Sequence, residues 1–452
     1  MKTIAAIATP LAEGGISVIR ISGDKAFEIA EKVFKPVGKK PVSEMKGYTA
    51  AYGEIVDGDK KLDDGVLLVY RAPHSYTGEN VAEISCHGGL FITKRVLSAC
   101  FSAGADAAQA GEFTKRALLN GKLSLTQAEA VSDIISAQNE QYLLCSKAQR
   151  EGALYRRTRT IAEKILSLTT LIQAWIDYPD EMEDDFDGNL EVKKLTEVYN
   201  ELTLLKDSYN NGQLMREGVP CAIVGRPNVG KSTLMNLLSG RERSIVTDIE
   251  GTTRDIVEET VMVGDIMLRL ADCAGIRDTD DIVESIGVER MLEKLNESSL
   301  IFAVFDGSRQ FSPDDERLIE KLKGKDCICI LNKGDLEQVF DKSKLSKLWD
   351  VIEISAKNPD SVYEIERAVR EKTGLGKLDL SSGFIANERQ KICICEAIDY
   401  IGEAINAING GVTLDAVGIM CENALDRLYE LSGENVSEAV IDMVFKRFCV
   451  GK

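Results

Sequence analysis

Residues 225 to 232 read Gly225-Arg226-Pro227-Asn228-Val229-Gly230-Lys231-Ser232, the G-x-x-x-x-G-K-S spacing of a phosphate-binding loop. An apolar run, Cys221-Ala222-Ile223-Val224, precedes it, and a helical pattern from Thr233 to Leu238 follows. A strand, a loop and a helix in that order can set backbone N–H groups and a helix N-terminus around phosphate oxygens. Lys231 is then the cation that reaches the β- and γ-phosphates, and the Ser232 hydroxyl is a Mg²⁺ ligand. Alternating strands and helices continue from about 216 to 378, so this stretch is expected to be an α/β domain.

The loop alone does not choose between ATP and GTP. The segment Asn332-Lys333-Gly334-Asp335 ends a second apolar run, Cys327-Ile328-Cys329-Ile330. A carboxylate there can accept both N1–H and the 2-amino group of guanine, whereas adenine would leave it unpaired. Asp272-Cys273-Ala274-Gly275 follows a strand at 266–270, itself half of a hairpin expected to turn at Gly264-Asp265. Asp272 suits water-mediated contact with Mg²⁺, and the Gly275 N–H suits the γ-phosphate. Thr253 offers a hydroxyl and a carbonyl to Mg²⁺ and γ-phosphate. Ser355-Ala356-Lys357 suits backbone recognition of the guanine O6. The expected GTP-binding set is therefore Asn228, Val229, Gly230, Lys231, Ser232 and Thr233, then Thr247, Asp248, Ile249, Glu250, Gly251, Thr252 and Thr253. It continues with Asp272, Cys273, Ala274 and Gly275, and closes with Asn332, Lys333, Asp335, Ser355, Ala356 and Lys357.

With 452 residues, two to four domains are expected. No apolar run approaches the length of a membrane span, and the opening residues lack a signal-peptide core, so a cytoplasmic protein is expected. A net charge of −18 argues against a broad nucleic-acid surface; RNA contact needs a local basic patch or a partner. Eleven cysteines without regular spacing read as reduced thiols, with Cys327, Cys329, Cys393 and Cys395 in apolar runs as core residues. Both histidines, His74 and His87, lie far upstream of the phosphate loop.

Residues 1–118 mix strands, at 16–21 and 65–70, with a helix at 90–97, an α+β pattern. The second strand is more continuously apolar and is expected to be the more buried. From 119 to 215 the pattern is helical, with Leu125, Ala128, Val131 and Ile135 on one stripe. An acidic run at 177–185 interrupts it as a solvated loop. Residues 379–452 are helical again, so one helical domain, 119–215 plus 379–452, is expected to carry an inserted GTPase domain at 216–378.

Further motifs carry a resemblance that covers the whole chain. Ile4-Ala5-Ala6-Ile7-Ala8-Thr9-Pro10, Arg20-Ile21-Ser22-Gly23, Ser75-Tyr76-Thr77-Gly78-Glu79-Asn80, Cys86-His87-Gly88-Gly89, Gly111-Glu112-Phe113-Thr114-Lys115-Arg116-Ala117, Asn120-Gly121-Lys122-Leu123 and Cys449-Val450-Gly451-Lys452 are similar to the MnmE (TrmE) family of tRNA-modification GTPases. Two departures are Cys273 where the family usually has Thr, and Gln109-Ala110 where it often has Arg-Pro. Neither removes a phosphate or Mg²⁺ ligand, and Mg²⁺ is assigned to Ser232 and Thr253.

The resemblance implies GTP hydrolysis in the service of adding a carboxymethylaminomethyl or aminomethyl group to C5 of the tRNA wobble uridine, together with FAD-dependent MnmG in a heterotetramer. Many small GTPases orient water with a Gln after the Asp-x-x-Gly motif; Ile276 here cannot. The family implies K⁺ in the role of an arginine finger, held by Asn228, Thr247, Ile249 and Thr252, with Lys231 and Glu284 as the catalytic pair. On its own Asn228 reads equally as a turn residue, Glu284 as one more exposed acid, and Arg254 as a surface residue. The N-terminal region resembles tetrahydrofolate-binding domains, which implies 5-formyl- or methylene-tetrahydrofolate held by Arg20, Glu79, Lys122 and Lys452, and a homodimer through that domain. Cations suit the glutamyl carboxylates and a carboxylate the pterin donor edge, although each charge alone reads as surface. Cys449 lies either near that one-carbon chemistry or is an inert thiol; the C-terminal spacing does not suit prenylation. The alternative is a ribosome-assembly GTPase acting as an rRNA-binding switch. Der would show a second phosphate loop, and Era a basic C-terminal segment with a G-x-x-G loop.

Overall fold

The computed structural model describes residues 1–38, 40–178, 188–240, 258–271, 296–375, 379, 381–446 and 448–451. The chain forms two compact units, one of residues 1–133, 149–199 and 393–452, the other of residues 134–148 and 200–392.

The first unit contains a seven-stranded sheet: β1 (Ile4–Ile7), β2 (Ile16–Ser22), β3 (Phe34–Pro36), β4 (Thr49–Asp57), β5 (Lys60–Tyr70), β6 (Val81–His87) and β7 (Asp106–Ala107), in the order β3-β4-β5-β6-β2-β1-β7. Helices α1 (Ala26–Val33) and α2 (Leu90–Ser102) cover one face, burying Phe27, Ile29, Val33 and Val96 against Ile19, Ile21, Ile55, Leu67 and Ile84. The strand at 65–70 is less buried than its apolar run suggests. Leu67 and Val69 are fully buried, but Val66 is 41% exposed and pairs on the outer face with Tyr52, 59% exposed. Among the described residues helices cover one face of this antiparallel ribbon and not the other, so burial alternates along the strand despite the sequence. Near β1, Ile4 and Ala6 form a second small core with Ala108 and Phe113, the latter from α3 (Glu112–Leu119).

The helices α4 (Leu125–Ser136) and α5 (Glu140–Arg150) follow. Leu125, Ala128 and Val131 of the expected stripe are buried, whereas Ile135, one residue from the end of α4, is 48% exposed. Next come α6 (Ala153–Asp177) and α7 (Gly188–Glu217). The acidic run at 177–185 falls, from 179 on, outside the described residues.

The second unit holds a six-stranded sheet of β8 (Val219–Val224), β9 (Glu258–Val263), β10 (Ile266–Ala271), β11 (Leu300–Asp306), β12 (Cys327–Asn332) and β13 (Asp350–Glu353), ordered β13-β12-β11-β8-β10-β9. All neighbours are parallel except β9 and β10, which form the expected hairpin at Gly264-Asp265. Every residue of β11 and β12 is buried, as covering both faces of a parallel sheet requires. Cys327 and Cys329 are part of that packing, and burial pushes their thiols up to about 11 and about 12. Helices α8 (Lys231–Ser239), α9 (Pro313–Leu322), the short turn α10 (Ser343–Ser346) and α11 (Ser361–Thr373) complete the α/β layers. One core joins Leu234, Leu268 and Phe302 to Tyr142, Cys145, Met215 and Phe384, so residues 134–148 and the end of α7 share the sheet's interior. The hairpin tip is tied as well: Gln141 Nε2 and Arg370 Nη2 each donate to Asp265 at 2.6 Å.

The C-terminal helices are α12 (Glu388–Asn409), α13 (Leu414–Ser432) and α14 (Glu438–Phe445). Cys393 on α12 is buried and Cys395 partly so. Buried residues of α6 (Leu154, Thr158, Ile161, Ile165, Leu168, Ile172 and Trp175) and of α13 (Val417, Cys421, Ala424, Leu428 and Leu431) recur at alternating steps of four and three. That spacing keeps one apolar stripe on each helix, and the two helices lie in contact within the first unit.

Candidate functional site

The phosphate loop leaves β8 and enters α8 at its first residue, Lys231. Its turn needs two left-handed residues, Asn228 at φ 65° and Gly230 at φ 100°. A Cβ on Gly230 would lie 2.2 Å from the Asn332 amide, so both backbone angle and space demand glycine there. Lys231 Nζ donates to the Gly225 and Arg226 carbonyls, 2.9 Å each, and so rests across the loop. Ser232 and Thr233 follow it in the first turn of α8, where N–H groups lack intrahelical partners.

Asn332, at the end of β12 and 3% exposed, joins this loop to the base-recognition loops. Its Nδ2 donates to the Val229 carbonyl at 2.8 Å, and its Oδ1 accepts from the Ala356 N–H at 2.9 Å. The expected members Val229, Asn332 and Ala356 are thus brought into one hydrogen-bonded line. Replacing Asn332 by Ala orphans a buried carbonyl and a buried N–H, and is expected to cost about 2–4 kcal/mol. A denaturant midpoint for the second unit's transition that equals wild type would contradict this link.

Asp335 accepts from the Ser355 hydroxyl at 2.8 Å, and Lys357 Nζ stands 3.6 Å from its other oxygen. The Ser355 hydrogen bond, with the Lys357 charge adding to it, holds the Asp335 carboxyl below the usual range, ionised and acceptor-only at neutral pH. Lys333, at φ 66°, donates to Asp306 at 2.7 Å. Asp306 ends β11 and was not foreseen from the sequence; an Asp at the end of an apolar strand beside the guanine loop was the available signal. Burial pushes its carboxyl up, but hydrogen bonds from Lys333 and Ser308 outweigh that and hold it below the usual range. A depressed folded value means that its stabilising contribution is present above the unfolded carboxylate pKa of about 4 and is lost as pH falls through the folded value. Wild type is therefore expected to lose stability relative to Asp306→Asn as pH falls below about 4. Parallel denaturant midpoints of the two proteins across that range would contradict it.

In the first unit Arg20, on β2, donates through Nε to Glu83 at 2.7 Å and through Nη1 to the Gly451 carbonyl at 3.2 Å. Its guanidinium lies 5.6 Å from the Phe113 ring centre. Glu79 accepts from Ser22 at 2.7 Å and from Arg116 at 3.0 and 3.1 Å. Lys122 Nζ is exposed and donates to the Pro73 carbonyl at 3.1 Å. Val450 bridges Ala110, and Gly451, at φ 100°, packs where a Cβ would lie 2.1 Å from the Ile7 carbonyl. Gly451 therefore lies beside β1 and β2, with Cys449 exposed.

The family model for the MnmE helical domain matches residues 125–449, and that for the GTP-binding protein TrmE N-terminus matches residues 3–122. The tRNA modification GTPases MnmE of Clostridioides difficile (strain 630) and Acetivibrio thermocellus are each 40% identical to this chain, covering 100% of it and 99% of the relative. That of Bacillus cereus is 39% identical at the same coverage. The chain belongs to the MnmE family of tRNA modification GTPases.

Several residues singled out in the sequence lie outside the described residues: Thr247 to Thr253, Arg254, Asp272 to Gly275, Ile276, Glu284 and Lys452. Among the described ones, the main addition in the N-terminal region is Arg116. It is 4% exposed, paired to both Glu79 and Glu112, and its Nε is buried with no partner among the described residues. The sequence signal was its place in the Gly111 to Ala117 motif, where no role was assigned to it.

Proposed function

We propose that this MnmE-family chain is a K⁺-activated GTPase that works with FAD-dependent MnmG to add a carboxymethylaminomethyl or aminomethyl group to C5 of the wobble uridine of tRNA. The observation that carries the reading is the Asn332 bridge, which ties a phosphate loop to a guanine-type loop in one unit of a chain whose full length matches the family. A nucleotide seated there meets the α8 N-terminus and Lys231 at its phosphates and the Asp335 carboxylate at its base.

Mg²⁺ supplies charge neutralisation between the phosphates when bound, with Ser232 and Thr253 as its ligands and Asp272 acting through water. The first-turn place of Ser232 fits that role. Asn228, Thr247, Ile249 and Thr252 hold K⁺, and Glu284 orients water in place of the Gln that Ile276 replaces. Arg20, Glu79, Lys122 and Lys452 hold 5-formyl- or methylene-tetrahydrofolate as one-carbon donor. The Arg116 Nε, buried beside Glu79 with no partner among the described residues, is an available donor for such a ligand. The reading includes a homodimer through residues 1–118, a heterotetramer with MnmG, cytoplasmic residence, and a helical domain of 119–215 and 379–452 around a GTPase domain at 216–378. Among the described residues no helix is long and apolar enough to cross a membrane.

Hydrolysis at saturating GTP is expected to run at least ten-fold faster in KCl than in NaCl, and Asn228→Ala to erase that ratio. Equal rates in matched salts would remove K⁺ from the account. The modification itself is tested by mass analysis of tRNA nucleosides from cells lacking the protein. Loss of the modified wobble uridine is the expected result, and an unchanged nucleoside profile contradicts the reading.

A further inference from the structure

The geometry points to Arg226 and Asp315 as a positioning pair for the phosphate loop. In this pairing a capping-box carboxylate on α9 fixes, through the Arg226 side chain, the backbone on which Lys231 rests. The inference deepens the GTPase reading above and rests on it.

Ser312 is the N-cap of α9 and Asp315 its third residue. Ser312 Oγ accepts from the Asp315 N–H at 3.4 Å, and Asp315 Oδ2 accepts from the Ser312 N–H at 3.0 Å and its hydroxyl at 2.7 Å. That reciprocal pattern satisfies the helix end by itself. Arg226 nevertheless reaches the same two groups, its Nη1 lying 2.5 Å from Ser312 Oγ and 3.0 Å from Asp315 Oδ2. The Asp315 side chain is 5% exposed and that of Arg226 30%. A carboxylate so buried calls for a counter-charge, and the second residue of the phosphate loop supplies one.

The same residue carries the next link. Its carbonyl accepts from Lys231 Nζ at 2.9 Å, so the side chain of Arg226 holds α9 while its backbone holds the lysine. A guanidinium committed to Asp315 is turned to the protein rather than to a polyphosphate. Arg226 therefore serves the nucleotide by fixing the loop. On the other side of the turn, Asn332 holds the Val229 carbonyl. The two links flank Asn228, whose left-handed φ of 65° is an uncommon backbone state for a residue with a side chain. Loss of the Arg226 link lets the empty loop leave its competent shape, and apparent affinity falls by the fraction that remains competent. A bound triphosphate restores that shape, so turnover at saturation changes little and the effect falls on KM.

The test uses the full chain with Arg226→Ala, Asp315→Asn, the double variant and Arg226→Lys. GDP Kd is read by titration, and KM and kcat for GTP by steady-state assay. Arg226→Ala and Asp315→Asn are each expected to raise KM and GDP Kd about ten-fold with kcat within about two-fold. The double variant should be no weaker than the weaker single one, because both remove one contact. Arg226→Lys, which keeps the charge, should recover most of the affinity. An unchanged KM, effects that multiply in the double variant, or a fall in kcat at constant KM, the mark of fewer folded molecules, would each overturn the pair. A wild-type chain that neither binds GDP nor hydrolyses GTP would instead overturn the GTPase reading, and the pair with it.

Discussion

Asp335→Asn is expected to weaken GTP binding about a hundred-fold and to move preference towards xanthosine triphosphate. The Asp335 carboxylate is held ionised by Ser355 and Lys357, and an ionised carboxylate only accepts. Guanine presents two donors, N1–H and the 2-amino group, which match it. An amide presents one acceptor and one donor, so it loses a charge-assisted bond to guanine and gains one to the 2-oxo group of xanthine. The substitution is nearly isosteric, and the Asn carbonyl can still accept from Ser355. Competitive titration of GTP and xanthosine triphosphate on both proteins checks the result; unchanged GTP affinity would remove Asp335 from base recognition.

Lys231→Ala is expected to slow single-turnover hydrolysis about a thousand-fold or more. The ammonium lies across the loop on the Gly225 and Arg226 carbonyls, the position from which it meets the outer phosphates of a nucleotide in the loop. Charge that develops on the transferring phosphoryl group then loses its fixed protein cation. The loop's own geometry depends on Asn228, Gly230 and Asn332 and stays in place, so the loss falls mainly on the chemical step. Single-turnover rates with GDP affinity measured in parallel separate the two. A near-normal rate would leave Lys231 a structural residue.

Much of this was legible in the sequence because the determining residues are local. The phosphate loop follows its strand directly, and the Gly264-Asp265 hairpin lies between two short apolar-rich runs. What the sequence hid depends on contacts between distant segments. The exposed outer face of β5 follows from which face the helices cover, and an apolar run cannot report that. Tyr142, from α5, and Phe384, from the non-helical stretch before α12, both enter the second unit's core, and their local sequence says nothing of that destination. Arg226 and Asp315 are 89 residues apart, and each alone reads as a solvated charge. Asp306 is similar: its partner Lys333 is 27 residues on, at the far end of the next parallel strand.

The central claim is that the phosphate loop and the Asn332-Lys333-Gly334-Asp335 loop form one guanine-nucleotide hydrolytic site. It is tested most directly by single-turnover hydrolysis of GTP and of ATP by the full wild-type chain, in Mg²⁺ and KCl, with Lys231→Ala alongside. GTP hydrolysis that is lost in Lys231→Ala, with ATP left intact, is the predicted result. Equal hydrolysis of ATP and GTP, or a Lys231→Ala chain as fast as wild type, would contradict it.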